Sequence, residues 1–550
     1  MGLATCAFHS VNSVILVVYQ WIQLLIAFFF SPQQPSKSQP CFGHVAIVGA
    51  GLTGISTASQ LIAQGFQVTL FEAGSETGGI WANVNRSSGL QINSTMYRFH
   101  PFVLWTKWYP HRDEILDNIR VIWKRYGLSK RTRFNTPVTK VERAASSEKL
   151  QGKKGHSRWI INGNQSEVFD GLVVTIGTCG KPKMIKLPGQ ERFKGKIIHS
   201  SQLDNTDFKN KKVLIVGGGA SGVESLEYAV NKGAENPTIL ARSDKWFMPR
   251  NMVVDAVLSS QPFGRETYFS FIPEALLKWF HYRELSEKMA PTQGFYTGTP
   301  VVNDRCLDYI REGKADYQRA DVISVTERGI EWNSRKRGQP KGEKGEKRHS
   351  EADIIILAAG FERPSFDFLP QDLFPEGYSR PNMYLQVFPV TDWSVLCTNS
   401  TFHDAVGTVG NVHIGMYARI LALFLLDPDT RPPPRDMRLW VDAISFVKER
   451  APGGQLEFFT YMELVIWISA FLFFRIDRLK YLFFVYSGYG FWTKDPVTRE
   501  PRFHLTIAHR TFPEMTHAAL LTHAVLQRFR SGQLSRKAHM YVEEGEKRLQ

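Results

Sequence analysis

Cysteine is scarce in this chain. Its 550 residues hold five, Cys6, Cys41, Cys179, Cys306 and Cys397, with no CxxC pair and no regular spacing. An odd, scattered set supports neither a disulfide framework nor a zinc site, and it places the body of the chain in a reducing compartment. Blocks of one charge are scarce as well. The net charge is +15, yet the Lys and Arg are spread along the sequence, which argues against nucleic acid as a partner. The one dense basic run, Arg335–His349, lies between two strand-like segments and reads as a solvated hairpin loop. A membrane surface or an acidic cofactor accounts better for the excess charge. No internal repeat is present, apart from one pair of related stretches described below.

What remains is an ordinary globular composition, 43% hydrophobic and 22% charged, with length enough for two to four domains. Ser13 to Phe30 is an apolar and aromatic run broken only by Gln20 and Gln23. It reaches the lower limit for a membrane-spanning helix. No Lys or Arg precedes it and no small-residue cleavage site follows, so it reads as an anchor rather than a signal peptide. The first basic residue, Lys37, comes after the run, which puts the body on the cytosolic side. The endoplasmic reticulum is the expected membrane. Ser31–Pro40, rich in Pro, Ser and Gln, is the expected linker.

The chain is organised around His44–Gly74. A short apolar run, Val45–Val48, ends at Gly49, Gly51 and Gly54; a helical pattern leads to a second apolar run, Val68–Phe71, which closes on Glu72. This is the βαβ dinucleotide-binding unit. Gly49 makes the turn, Gly51 admits the pyrophosphate to the positive end of the helix, Gly54 allows helix and strand to pack, and Glu72 takes a ribose hydroxyl. A second unit begins at Lys212, with Gly217, Gly219, Ser221 and Gly222 in its turn. Where the first unit carries Glu72, the second carries no acid but Arg242, with Lys245 nearby, which suits a 2′-phosphate. Two such units with opposite charge at the second strand point to FAD on the first and NADPH on the second.

The expected fold is therefore α/β, with two Rossmann-like dinucleotide-binding domains, the NADPH domain inserted in the FAD domain, and a largely helical C-terminal region. The expected partition is 1–40 anchor and linker, 41–205 first part of the FAD domain, 206–350 NADPH domain, 351–426 FAD-domain return and 427–550 C-terminal region. Asp353–Gly360 is a buried strand read as carrying the chain back to the first sheet. Phe458–Phe474 and Tyr481–Trp492 are aromatic and apolar but interrupted by charge, which suits a membrane-surface face, a substrate channel or plain core better than a spanning helix.

Between the units, Phe193, Gly195 and His199 stand in Phe-Lys-Gly-Lys-Ile-Ile-His-Ser-Ser-Gln-Leu. This resembles the FxGxxxHxxx(aromatic) fingerprint of the flavin-containing and Baeyer–Villiger monooxygenases, the class B flavoprotein monooxygenases. Gly78-Gly79-Ile80-Trp81, Trp246–Arg250 and Ala358–Phe361 resemble the same group, over roughly Gly43 to Arg419. Leu203 replaces the terminal aromatic, and Ala359 the usual Thr. The resemblance implies that Gly79 and Trp81 contact the flavin. It also implies reduction of FAD by NADPH, reaction with O₂ to a flavin C4a-(hydro)peroxide, and transfer of one oxygen atom to nitrogen, sulfur or carbon of a small lipophilic substrate. Asn93 falls where the flavin-containing branch carries an active-site Asn, and it would hydrogen-bond the flavin or the nicotinamide. Thr299 stands where the Baeyer–Villiger branch would carry its catalytic Arg. Both lean to the flavin-containing branch, with ketone-to-ester chemistry as the alternative. His199 is expected to hold the interdomain linker rather than to act as acid or base. A flavin disulfide reductase would need a redox-active cysteine pair, and the sequence has none. A nucleotide-binding scaffold without activity is the remaining alternative.

Overall fold

The structure, a computed structural model, describes residues 2–35, 41–145, 156–251, 254, 266, 268–298, 300–401, 411–450, 460–488, 491–494 and 501–504, with the backbone alone for 2–14, 448, 450, 460–462, 476, 491–494 and 501–504. Thr299, Phe458 and most of the last fifty residues lie outside them.

Two parallel sheets carry the architecture. The first runs Val395–Leu396, Gly171–Val174, His44–Val48, Gln67–Phe71, Thr132–Arg133, every neighbouring pair parallel. Its central strands are near-continuous apolar runs because both faces are buried. The helix Leu52–Ala63 joins the first two strands of the βαβ unit and is buried along almost its whole length. The second sheet runs Glu346–Glu351, Gly329–Ser334, Asp316–Val325, Glu235–Ala241, Lys212–Val216, Ile354–Leu357, Lys196–His199. Its first three strands form an antiparallel meander on a parallel core. The basic run Arg335–His349 is the turn of that meander and part of its edge strand, as expected, although Arg335 is buried against Asp321 (2.8 Å).

The return of the chain differs from the sequence reading. Ile354–Leu357 does not enter the first sheet; it pairs in parallel with both Lys212–Val216 and Lys196–His199 in the second. The second sheet thus takes a strand from before residue 206 and one from after 350. The chain rejoins the first sheet only at Val395–Leu396. An all-apolar Ile-Ile-Ile-Leu strand suits the centre of either parallel sheet equally, so its own sequence does not choose between them.

The helix Gly2–Phe30 covers the expected anchor. Among the described residues no helix is long and apolar enough to cross a membrane. The helix is also tied to the body. Gln23, fully buried, donates from Nε2 to the Trp105 carbonyl (2.9 Å) and accepts from the Trp105 N–H (2.8 Å) and the Arg98 guanidinium (2.7 Å). Tyr19, one turn earlier on the same face, stacks on Trp108 at 5.0 Å. The opposite face carries Ile15, Val18, Ile22 and Leu25, all exposed, with Trp21 beside them.

The C-terminal helices are part of the core. In the helix Thr460–Phe473, Glu463 is buried and accepts from Gln386 Nε2 (2.7 Å) and Trp440 Nε1 (3.0 Å). The helix His413–Leu426 packs along Leu52–Ala63. Its Arg419 is buried and donates to Gln60 Oε1 (3.0 Å) and to the carbonyls of Val485 and Tyr486 (2.9 Å each). Burial pulls that guanidinium down to about 9.

Candidate cofactor sites

The first strand stops at Gly49 because the chain turns there through φ 106°, a conformation open to glycine. Gly51 is the N-cap of the helix and has no side chain with which to cap it, leaving its first N–H groups to an anion. A Cβ on Gly54 would lie 2.0 Å from the Gly49 carbonyl oxygen. Glycine there brings helix and strand into direct backbone contact. Gly79 (φ 59°) lies against the turn: a Cβ on it would be 3.2 Å from the Gly51 Cα, and the Gly78 N–H donates to the Ala50 carbonyl (3.1 Å). Glu72 faces the same turn, its Oε2 accepting from the Ala50 N–H and its Oε1 from the Gly74 N–H, both at 2.8 Å. Gly49, Gly51, Gly54, Glu72 and Gly79 therefore converge on one backbone-lined cradle, and these residues fit a dinucleotide phosphate with a ribose-binding acid.

The second turn repeats the backbone plan of the first. Gly217 has φ 124°, Gly219 is the N-cap of the helix Ala220–Asn231 with open space where a Cβ would stand, and a Cβ on Gly222 would lie 1.9 Å from the Gly217 carbonyl oxygen. Ser221 is in the first turn of that helix. The strand Glu235–Ala241 ends one residue before Arg242, whose side chain is exposed, and Lys245 is half-buried close by. The acid in this loop, Asp244, is engaged elsewhere. Both its oxygens accept from Arg319 Nε (2.9 and 2.8 Å) in a pair buried on the arginine side. Sequence spacing could not locate Arg319, which comes from a strand 75 residues on. Its ion pair takes up the acid of this loop, beside which stand the exposed Arg242 and the half-buried Lys245.

The fingerprint residues fasten the edge strand Lys196–His199 to its neighbour Ile354–Leu357 in the second sheet. A Cβ on Gly195 would strike the Phe193 ring at 2.6 Å and the Asp353 carbonyl at 2.3 Å, so only glycine lets that ring fold back over the chain. His199 accepts at Nδ1 from the Ser201 N–H (3.1 Å), which leaves Nε2–H to donate to the Gly360 carbonyl (2.9 Å). Burial lowers its pKa and keeps the ring neutral. His199 thus clasps the fingerprint to Ala358–Phe361. Leu203, the departure from the fingerprint, is fully buried in the core of the second domain.

Trp81 lies beside the first cradle and donates from Nε1 to the Tyr97 hydroxyl (3.1 Å); burial pushes Tyr97 up to about 12. Asn93 is buried in a turn, its Oδ1 accepting from the N–H (3.0 Å) and hydroxyl (2.8 Å) of Thr95. One network escaped the sequence reading. Asn399 donates to Thr53, in the first turn of the first-unit helix, and to Asn411 (3.1 Å each), and His413 meets Asn399 Oδ1 at 2.8 Å. Burial lowers His413 to about 3. Asn399 and Asn411 both sit at positive φ, and the Thr398 and Thr401 hydroxyls nearby in sequence are buried without a partner among the described residues. The only local signal was the polar Cys-Thr-Asn-Ser-Thr stretch after a strand.

Two glycine-turn domains, one closing on a carboxylate and one followed by Arg242 and Lys245, define the two-dinucleotide α/β class. The chain belongs to the flavin-binding monooxygenase-like family, whose model matches residues 43–398. It is 25% identical over 374 residues to human flavin-containing monooxygenase 2 and to rhesus macaque dimethylaniline monooxygenase [N-oxide-forming] 2, the matches covering 63% of this chain and 66% of each relative. In fold it is similar to a steroid monooxygenase bound to NADP (TM-score 0.56, 19% identity, 78% of this chain and 98% of that one). It is also similar to a cyclohexanone monooxygenase (TM-score 0.57, 14% identity, 79% and 99%).

Proposed function

We propose that the chain is an FAD-dependent monooxygenase that uses NADPH and O₂ to place one oxygen atom on nitrogen, sulfur or carbon of a small lipophilic substrate, in a specialised-metabolite pathway. The carrying observation is the pair of matching glycine turns, the first closing on the acid Glu72 and the second followed by Arg242 and Lys245. The first cradle, with Glu72, holds the FAD; the second, with Gly217, Gly219, Ser221 and Gly222, holds NADPH, and Arg242 and Lys245 take its 2′-phosphate. The flavin supplies the redox chemistry and the oxygen activation. Trp81 and Gly79 line its site, and the Asn93 amide donates a hydrogen bond toward the bound cofactors. The neutral clasp at His199 keeps the linker in place without moving a proton. The curated relatives favour heteroatom oxygenation over the Baeyer–Villiger alternative.

The test is spectroscopic and then catalytic. Purified protein is expected to carry flavin absorbance that NADPH bleaches and air restores, with amine or thioether substrates oxidised under turnover. Replacing both Arg242 and Lys245 with alanine is expected to weaken NADPH about 10- to 100-fold, because each charged hydrogen bond is worth about 1.5–3 kcal/mol and the pair is partly solvated. Reduction by NADH should be unchanged. Protein that never holds flavin, or a double variant equally impaired with both nucleotides, would sink this reading.

We propose further that the exposed face of Gly2–Phe30 lies flat on a membrane. Its apolar row, Ile15, Val18, Ile22 and Leu25 with Trp21, is backed by the Gln23 clamp, and the chain's +15 charge complements anionic lipid. Trp21→Glu with Leu25→Glu is expected to reduce sedimentation with phosphatidylserine-containing vesicles at least about tenfold, since each buried apolar side chain contributes about 1.5–3 kcal/mol. Undiminished binding by that variant would rule the face out.

A further inference from the structure

The loop that follows the first cradle does more than line it. Arg112 braces it from within the first domain, donating from Nε to the Trp81 carbonyl (2.9 Å), from Nη2 to the Ala82 carbonyl (3.1 Å) and from its backbone N–H to the Ser88 carbonyl (2.7 Å). Six residues beyond Gly79, the loop reaches across to the second domain. Asn85, 4% exposed, donates from Nδ2 to the Ser200 carbonyl (2.7 Å) and accepts at Oδ1 from the Leu203 N–H (3.0 Å). These are the backbone groups immediately after the His199 clasp. The Arg86 N–H donates to Asp204 (2.8 Å), and the Ser88 hydroxyl donates to Glu224 on the helix that opens at the second glycine turn. Glu224 is half-buried, with Glu227 and Arg250 also acting on it.

A single short loop, packed against Gly51 through Gly79, therefore grips two parts of the second domain, the segment that follows the strand Lys196–His199 and the helix whose N-terminus forms the second cradle. The amide of Asn85 is the central contact. It satisfies one acceptor and one donor that burial would otherwise leave unpaired, and no other uncharged side chain of that size offers both in the same geometry.

We infer that Asn85 is a positioning residue that sets the angle between the two dinucleotide domains, and that it thereby determines how firmly the oxidised nicotinamide nucleotide is retained against the flavin. This rests on the monooxygenase reading above. Nucleotide retention depends on both cradles facing one another, and a second domain released from the loop would hold the nucleotide with its own cradle alone. Retention governs whether reducing equivalents reach substrate or leave as hydrogen peroxide.

The experiment compares wild type with Asn85→Asp, which keeps the acceptor for Leu203 but presents oxygen to the Ser200 carbonyl, and with Asp204→Ala, an exposed change that removes the neighbouring grip. On flavin-loaded protein, NADP⁺ affinity is read by flavin absorbance titration, domain spacing by small-angle scattering, and the hydrogen peroxide released per NADPH consumed by peroxidase assay. Asn85→Asp is expected to keep its flavin, bind NADP⁺ about tenfold more weakly, expand in solution and release most of its electrons as peroxide. Asp204→Ala should move the same way by about two- to threefold. Flavin-loaded Asn85→Asp with wild-type affinity, dimensions and peroxide yield would overturn the inference. If Asn85→Asp does not fold, an unchanged Asp204→Ala does so as well. A wild type without flavin would instead refute the monooxygenase reading on which the inference stands.

Discussion

Gly54→Ala is expected to purify without flavin. The added methyl would sit 2.0 Å from the Gly49 carbonyl oxygen and 2.9 Å from the Thr175 hydroxyl oxygen. The first of these is backbone in the tightest part of the turn and has no rotamer through which to yield. Relief requires the helix Leu52–Ala63 to move away from its strand. Overpacking of this kind costs about 1–3 kcal/mol where neighbours can adjust, and this contact leaves little adjustment. More telling than the stability loss is the displacement of the helix N-terminus, whose N–H groups must meet the pyrophosphate at hydrogen-bond distance. Bound flavin per protein, measured from visible absorbance, should fall at least about tenfold, each tenfold being 1.4 kcal/mol of binding. Near-normal flavin content in a folded Gly54→Ala protein would mean that the pyrophosphate is held elsewhere.

Gly222→Ala is the matching experiment on the second cradle, with a different expected outcome. Its Cβ would lie 1.9 Å from the Gly217 carbonyl oxygen, the same collision in the other domain. The first cradle is untouched, so the protein should retain its flavin and be reduced normally by dithionite. Reduction by NADPH should slow by about a hundredfold, equivalent to about 2.7 kcal/mol of lost binding. Stopped-flow traces with the two reductants separate the effects. Loss of flavin from Gly222→Ala, or undiminished reduction by NADPH, would contradict the assignment of the second turn to the nicotinamide nucleotide. The two variants together test the division of labour between cradles better than either alone, because they impose one steric insult on two copies of one geometry.

The glycine turns were legible in the sequence because everything that defines them is local. Gly49, Gly51 and Gly54 fall within six residues, and the hydrophobic runs on either side set strand, helix and strand without reference to the rest of the chain. Glu72 and Arg242 could be read by counting to the end of the next strand. The same locality explains the misplacement of Ile354–Leu357. Its composition specifies a buried parallel strand, but the choice of sheet depends on Lys196–His199 and Lys212–Val216, more than a hundred residues earlier. Asn85 and Arg319 were illegible for a related reason. An Asn in a polar loop and an Arg in an interior strand carry no periodic signal, and their importance comes from the partners that folding brings to them. Glu463 is a different case. The charge that interrupts Phe458–Phe474 left a membrane-surface face, a substrate channel and plain core open, and the carboxylate is buried between Gln386 and Trp440, as plain core requires.

The burial of Asn85 also bears on covalent modification. The chain contains four Asn-x-Ser/Thr triplets, at Asn85, Asn93, Asn164 and Asn399, each a formal acceptor for an N-linked sugar. Asn85, Asn93 and Asn399 are at most 4% exposed, and each uses its side-chain amide group in hydrogen bonds. Asn164 alone is exposed. Because the sugar is attached at the amide nitrogen, a glycan on Asn85 would have to occupy the closed space between that nitrogen and Ser200 and would wedge the two domains apart, and one on Asn399 would have to occupy the buried space beside Thr53. Only Asn164 can carry an oligosaccharide on the folded chain, so three of the four acceptors must stay unmodified for this architecture to form.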